Sequence, residues 1–178
     1  ILLLQFEVPQ ASVVEAVRLA NRAKVPVVLN PSPLRSGFPW DNCALDTVIT
    51  NVGEAQAIFS LKLDKLPANL GRWQRALRLR HIGQLIITRG AKSTICISHS
   101  GFREVPTLAV KPVDTVGAGD AFAGAYAAKR AEGADTLIAI RYANCVGALA
   151  TLKPGAQEAI PNRTTAEKAF RQVSRLPS

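Results

Sequence analysis

The chain of 178 residues contains no methionine, only two histidines and only three cysteines. The cysteines, Cys43, Cys96 and Cys145, lie far apart in apolar surroundings and share no metal-ligand spacing. This distribution predicts reduced cytosolic thiols and disfavours a disulfide framework. His81 and His99 are isolated in the sequence, which is typical of structural or solvated side chains and not of a metal ligand or a catalytic base.

Long hydrophobic runs are also missing. No uncharged apolar span reaches about 18 residues, so we expect no transmembrane helix. No basic segment followed by an apolar stretch and a small-residue cleavage site marks a leader. We therefore predict a cytoplasmic protein without a membrane partner. The chain begins at Ile1 in the middle of a strand-like segment, and we expect it to be a piece of a longer protein.

Positive charge is in excess, with 22 Lys and Arg against 13 Asp and Glu and a net charge of +9. Nucleic-acid or membrane-surface binding is one interpretation of such an excess. The densest basic run, residues 70–80, alternates arginines with leucines and Trp73 at helical spacing, which predicts an amphipathic helix with a solvated basic face. No aromatic-interleaved basic groove accompanies it, so we expect no nucleic-acid partner. A positive background also suits an enzyme that handles phosphates.

Short apolar segments alternate with helical patterns in the first half of the chain. Strands are predicted at residues 1–5, 25–29, 45–50 and 85–88, and helices at 10–23, 53–60 and 67–80. This alternation predicts an α/β fold with a mostly parallel sheet.

The second half of the chain follows a different pattern. Residues 93–98 and 102–110 flank a Ser-Gly turn and predict an antiparallel hairpin at a sheet edge. Small-residue helices are predicted at 118–132 and 135–151. A last helix is expected to begin at Thr164, with Glu167 completing a capping box, and to end near Leu176.

Polar residues follow several predicted strands: Glu7, Asn30, Asn51, Thr88 and the turn that begins at Asp114. Ligands of parallel α/β sheets collect at the carboxyl ends of the strands. From this topology we expect these residues to converge.

The run from Asp114 to Asp120, Asp-Thr-Val-Gly-Ala-Gly-Asp, carries the clearest chemical signal. Its glycines allow a tight turn and a close ligand approach, and the first amides of the following helix form an anion site suited to phosphate. Asp120 has two interpretations. It is either a base that accepts a proton from a group attacking the phosphate or an ordinary helix cap.

This run resembles the C-terminal signature of the ribokinase-like (phosphofructokinase B-type) carbohydrate kinases. The resemblance implies an anion hole formed by Gly117, Ala118 and Gly119, with Asp120 as the catalytic base beside the substrate. It also implies a three-layer ribokinase-like sandwich that is truncated, because the N-terminal strands and the β lid are absent. Residues 1–178 would then be the C-terminal nucleotide-binding and catalytic part of a single domain.

Other segments resemble further motifs of the same family. Asn51-Val52-Gly53-Glu54 resembles a run that places Mg²⁺, which implies that Glu54 holds the ion through water. Residues 88–93 resemble a nucleotide loop, although Ser93 replaces the usual glycine. The residues implied in nucleotide binding are Asn51, Thr88, Gly90 and Asn144. Glu7, in a Gln-x-Glu run, resembles a residue beside the sugar hydroxyls.

The resemblance also implies a K⁺ site next to the anion hole. Its matching positions are Asp114, Val116, Ala150, Lys153 and Gly155. The alternative is that Asp114 only orders the turn by bonding neighbouring amides.

Together these resemblances imply ATP-dependent phosphoryl transfer to a sugar primary hydroxyl, most closely ribose to ribose 5-phosphate. The alternatives are a related kinase with a fructose, ketodeoxygluconate or nucleoside acceptor, or a non-catalytic nucleotide-binding fragment. The implied partners are ATP or ADP, a small sugar and a second copy of the whole protein through the absent lid. We expect this portion alone to be inactive.

Overall fold

The computed structural model describes residues 1–173. The strands are β1 (Leu2–Gln5), β2 (Val27–Asn30), β3 (Leu45–Asn51), β4 (Ile82–Thr88), β5 (Thr94–Ser98) and β6 (Gly101–Val105). The helices are α1 (Gln10–Arg22), α2 (Val52–Phe59), α3 (Leu66–Leu79), α4 (Ala118–Ala131), α5 (Thr136–Ala150) and α6 (Arg163–Val173). Across this described range, no helix has the length and apolar character that crossing a bilayer requires.

The six strands form one sheet in the order β1-β2-β3-β4-β5-β6. Strands β1 to β4 pair in parallel, and β5 runs antiparallel to β4. Every residue of β2 is buried, as expected for a parallel strand covered on both faces. The predictions of a mostly parallel α/β fold and of a hairpin at the sheet edge are confirmed.

The chain divides into two compact units, and the first contains residues 1–89 and 95–104. Helices α1, α2 and α3 contact the sheet in this unit. Trp73 and Leu77 of α3 are fully buried in the same core as Leu85 and Ile87 of β4. Three arginines of α3 (Arg72, Arg75 and Arg78) are exposed, which confirms the predicted amphipathic helix.

The second unit contains residues 90–94 and the chain from Val105 onward. Its helices α4, α5 and α6 share a small apolar cluster to which Tyr142 and Phe170 contribute, with ring centroids 5.6 Å apart. The Lys129 ammonium lies 4.6 Å from the Tyr142 ring centroid and 2.8 Å from a carboxylate oxygen of Glu132. Small residues and one aromatic pair therefore hold these helices together.

Two details of the second half differ from the sequence expectation. The strand predicted at residues 102–110 ends at Val105, because Pro106 has no backbone N–H to continue a ladder. The predicted capping box at Thr164 is wrong. Asn162 Oδ1 accepts the Thr165 amide at 2.9 Å and caps α6, while Glu167 pairs with Arg163 at 2.9 Å. The predicted helix end near Leu176 lies outside the described residues.

All three cysteines are buried and free, as the sequence predicts. Burial raises the pKa of Cys96 and of Cys145 to about 11 and also raises the pKa of Cys43. The nucleophilic thiolate is therefore scarce at neutral pH, and these side chains act as small apolar groups.

The contact between the starts of β3 and β4 provides a stability test. A Cβ added at Gly83 would lie 2.8 Å from the Asp46 carbonyl oxygen, so Gly83→Ala should lower the free energy of unfolding by about 1–3 kcal/mol. At Gly71, inside α3, nothing lies within 4 Å, and Gly71→Ala should raise it by about 0.5–1 kcal/mol. Urea denaturation of both variants measures the difference; equal stabilities would contradict the close contact.

Candidate functional site

The carboxyl ends of the parallel strands in the first unit carry a connected set of polar side chains. Gln5 and Asn30 are register partners, and Gln5 Nε2 donates to Asn30 Oδ1 at 3.2 Å. Asn30, only 8% exposed, donates from Nδ2 to the Ile49 carbonyl oxygen at 2.9 Å. Asn30 thus joins the ends of three strands. Asn30, Asn51 and Thr88 thus lie at the carboxyl ends of adjacent parallel strands, and the expected convergence of Glu7 and of the Asp114 turn with them stays a prediction.

Thr88 and Glu7 also lie at strand ends of this unit. Thr88 is the register partner of Asn51, and its half-buried hydroxyl donates to the Thr50 carbonyl oxygen at 3.2 Å. This bond uses the hydroxyl proton and leaves oxygen lone pairs for another donor. Glu7 is exposed in the turn after β1.

The Asn51-x-x-Glu54 run forms a reciprocal cap at the start of α2. Asn51 Oδ1 accepts the Glu54 amide, and Glu54 Oε2 accepts the Asn51 amide, both at 2.9 Å. The spacing is that of a capping box, a feature that the sequence analysis did not predict. Glu54 Oε1 is outside the cap, so the carboxylate has the oxygen chemistry that fits a hydrated Mg²⁺.

Gly90 and Asn144 belong to the second unit. Gly90 has φ of +61°, a conformation that suits glycine. Asn144, only 5% exposed, accepts the Thr94 hydroxyl at 2.6 Å and donates to the carbonyl oxygens of Val105 and Pro106 at 3.3 and 3.1 Å. Its amide therefore joins three chain segments, and a direct contact between Asn144 and a nucleotide base stays a prediction.

The glycine turn before α4 has a backbone that requires glycine at position 117. Gly117 caps the helix with φ of +74°, and an added Cβ would lie 3.1 Å from Ala156 Cα. The Ala118 amide donates to the Thr115 carbonyl oxygen at 3.3 Å. Among the residues that the structure describes, none accepts from the Gly117 or Gly119 amides. These donors and the positive end of the helix dipole form an anion site.

Asp120 occupies the first turn of α4 and is exposed. The helix cap is Gly117, and no side chain of the described chain caps this helix. Of the two interpretations of Asp120, the ordinary cap is therefore wrong. A carboxylate in the first turn interacts favourably with the positive end of the helix dipole, and an exposed carboxylate can also accept a proton.

Asp114 ties the turn to the loop after α5. Its Oδ1 accepts the Val116 amide and its Oδ2 accepts the Gly155 amide, each at 3.0 Å. These bonds, with a smaller contribution from the Thr115 amide, lower the pKa of Asp114 below its usual range. Ordering of the turn by Asp114, the alternative to cation binding, is thus observed.

Thr151 supplies a second tie that no sequence signal indicated. Its carbonyl oxygen accepts the amides of Val113 and Asp114 at 2.7 and 3.2 Å. The loop that follows α5 also contains Lys153 and Gly155, and Ala150 ends the helix. A carboxylate and backbone carbonyls are hard oxygen donors, the ligand type that K⁺ takes, and K⁺ binding at this loop stays a prediction.

Comparison with known proteins gives a consistent family. The family model described as pfkB family carbohydrate kinase matches residues 3–163. The chain is similar to a ribokinase of Bacillus subtilis, with 34% identity over 170 residues, covering 93% of this chain and 53% of that protein. It is also similar to a deoxyribokinase of Salmonella typhi, with 28% identity over 163 residues and coverages of 91% and 53%.

A solved structure has the same fold. The ribokinase of Arabidopsis thaliana, complexed with ribose and ATP, superimposes with a TM-score of 0.86 at 23% identity, covering 95% of this chain and 55% of that chain. This chain therefore spans about half the length of the relatives that it matches.

The Asp114 carboxylate predicts how the turn responds to acid. A depressed folded-state pKa contributes stability above the unfolded value, here 3.8, and that contribution is lost as the pH falls through the folded value. We expect Asp114→Asn to lower the thermal midpoint at neutral pH and the gap from the wild type to close on acidification. Thermal midpoints of both proteins, measured from neutral pH to below pH 3.8, test this expectation. A difference in midpoint that does not change with pH would contradict it.

Proposed function

Because the chain belongs to the pfkB family carbohydrate kinases, we propose that it is the nucleotide-binding and catalytic portion of an ATP-dependent sugar kinase. The proposal treats residues 1–178 as the C-terminal part of a single ribokinase-like domain. One observation carries it: no described side chain caps the N-terminus of the helix that begins at Ala118, and Asp120 lies in its first turn. Both features suit phosphoryl transfer.

The proposed reaction moves the terminal phosphoryl group of ATP to a primary hydroxyl of the sugar. The Asp120 carboxylate accepts the hydroxyl proton as the oxygen attacks phosphorus. The amides of Gly117, Ala118 and Gly119 donate to oxygens of the transferring group, whose charge they stabilise. The Ala118 amide would exchange its bond to the Thr115 carbonyl oxygen for this one, and the fixed conformation of Gly117 favours the role of the turn.

The residues proposed to contact the nucleotide are Asn51, Thr88, Gly90 and Asn144. Asn51 and Thr88 end adjacent parallel strands in register, which supports a shared role toward phosphate or ribose oxygens. Gly90 would allow close backbone approach, and Asn144 would lie beside the base. Glu7, exposed after β1, would accept hydrogen bonds from sugar hydroxyls.

Two cations are part of the proposal. Mg²⁺, when bound, neutralises phosphate charge, and Glu54 would hold its water shell through the oxygen outside the capping box. Asp114 and the carbonyl groups of Val116, Ala150, Lys153 and Gly155 would hold K⁺. Because Asp114 also accepts the Val116 amide of the turn and the Gly155 amide of the loop after α5, its role in cation binding and its role in ordering the anion hole would be linked.

For the acceptor we propose ribose, supported by the 34% identity to a ribokinase. The relatives include a deoxyribokinase and a fructokinase, so fructose and deoxyribose are the nearest competitors. Ketodeoxygluconate or nucleoside kinases and a non-catalytic nucleotide-binding fragment are the remaining alternatives. We also propose that the whole protein is a homodimer, which its mass in solution tests.

A panel of acceptors assayed with ATP tests the function in the whole protein. We expect ribose to give the highest kcat/KM and Asp120→Asn to lower kcat by about 10²–10⁴-fold, because proton transfer is removed. Nucleotide affinity should change little.

Asp64→Asn, at an exposed carboxylate outside the proposed site, is the matched control and should keep full turnover. Nearly normal turnover in Asp120→Asn would sink the assignment of the base. Nucleotide binding without turnover on any acceptor would favour the non-catalytic alternative.

Two glycines of α4 allow a test of the anion hole by itself. Nothing lies within 4 Å of a Cβ added at Gly119 or at Gly124, so both alanine variants should fold. Gly119→Ala places a methyl group at the proposed phosphate position and should lower kcat by about tenfold or more. Gly124→Ala lies one turn further and should leave kcat unchanged. Steady-state kinetics of the two variants tests this expectation. Equal kcat values would mean that the phosphate binds elsewhere.

A further inference from the structure

A cavity lies at the opposite end of the sheet from Asn51 and Thr88. It is an open cleft of about 420 Å³ beside Leu45 and Ile82, the first residues of β3 and β4, and it lies wholly within the first unit. Both histidines of the chain line it, together with Arg78. His81 follows α3 and His99 lies between β5 and β6. Only the folded chain therefore places both histidines in one cleft.

Hydrogen bonds fix the backbone that carries these side chains. His81 follows α3, where its amide donates to the Arg78 carbonyl oxygen at 3.1 Å and its carbonyl oxygen accepts the Leu45 amide at 3.0 Å. His99 lies in the turn between β5 and β6, and Gln74 Nε2 of α3 donates to its carbonyl oxygen at 2.9 Å. Helix α3 therefore positions both sides of the cleft.

His81 has an unusual backbone for its side chain. Its φ is +51°, in the left-handed region where glycine is the common residue after a helix. Lys24 and Ser60 also have a positive φ at helix ends, so this conformation is a feature of the helix terminus and here directs a histidine to the lining of the cleft.

The titratable groups of the cleft are Arg78, His81, His99 and Asp46. Asp46 Oδ2 accepts the Val27 amide at 2.7 Å, so its carboxylate bonds β2 backbone. No group of three His, Cys, Asp or Glu side chains suited to a metal ion occurs in the described part of the chain. Besides the Asp46 carboxylate, the cleft contains one guanidinium and two imidazoles, each of which can donate a hydrogen bond to an anion.

We propose that this cleft binds a phosphate group, either free or as a phosphate monoester, at a site separate from the nucleotide edge. A guanidinium matches two phosphate oxygens, and the N–H group of an imidazole donates a further hydrogen bond. The opening of the cleft to solvent leaves room for an organic group on the phosphate. The inference does not depend on the kinase reaction, because it uses no residue of that proposed site.

The test follows the two histidine ring signals by NMR in the whole protein. The signals are assigned through His81→Gln and His99→Gln. Inorganic phosphate should shift both signals with a saturable curve, and potassium chloride at equal ionic strength should not. Glycerol 3-phosphate is the monoester probe: tighter binding than phosphate identifies an organic ligand, and equal binding identifies the phosphate group alone. The absence of a saturable shift with both probes would overturn the proposal.

A matched pair of variants separates binding from folding. His81→Gly removes a cleft side chain and relieves the left-handed strain, so it should keep or raise the thermal midpoint yet weaken phosphate binding, read on the His99 signal, by about tenfold. Lys24→Gly also replaces a basic residue of positive φ after a helix, but outside the cleft, and should leave affinity unchanged. If phosphate affinity falls equally in both variants, the loss is an effect of net charge, and the proposed site is refuted.

Discussion

The parallel hydrogen bonding of β1 to β4 is the constraint on which the rest of the first unit depends. In-register pairing of Asn51 with Thr88 and of Gln5 with Asn30 gathers polar strand ends at one edge of the sheet. The same pairing gathers the strand starts at the other edge, where the histidine cleft lies. Two chemically different edges thus result from one backbone pattern, and neither requires its residues to be near one another in sequence.

In the second unit the corresponding constraint is the backbone of the glycine turn. Asp114 accepts the Val116 and Gly155 amides, the Thr151 carbonyl oxygen accepts two more amides, and a Cβ added at Gly117 would lie only 3.1 Å from Ala156 Cα. The turn is therefore held by its neighbours before any ligand arrives. Such preorganisation matters for phosphoryl transfer, in which the protein contributes mainly by position and electrostatics.

The sequence predictions rest on local patterns of residue type and spacing. The features that they missed depend on tertiary contacts. Apolar runs and helical spacing predicted the strands and helices, and the glycine turn was apparent from its residue types alone. The Thr151 carbonyl bonds and the cleft that joins His81 with His99 depend on contacts between distant segments, which no spacing reveals. The cap of α6 was misassigned because Asn162 competes with Thr164 for the same role, and asparagine is the stronger cap.

Asn144 shows what a fully bonded interior amide means for ligand recognition. Its donors and its acceptor are already engaged with Thr94, Val105 and Pro106. A base that bonded this amide would exchange one hydrogen bond for another, and such an exchange yields little net free energy. Base selection by the proposed nucleotide site would therefore come from groups that gain a partner when the nucleotide binds, and Asn144 would act by holding Thr94, Val105 and Pro106 in place.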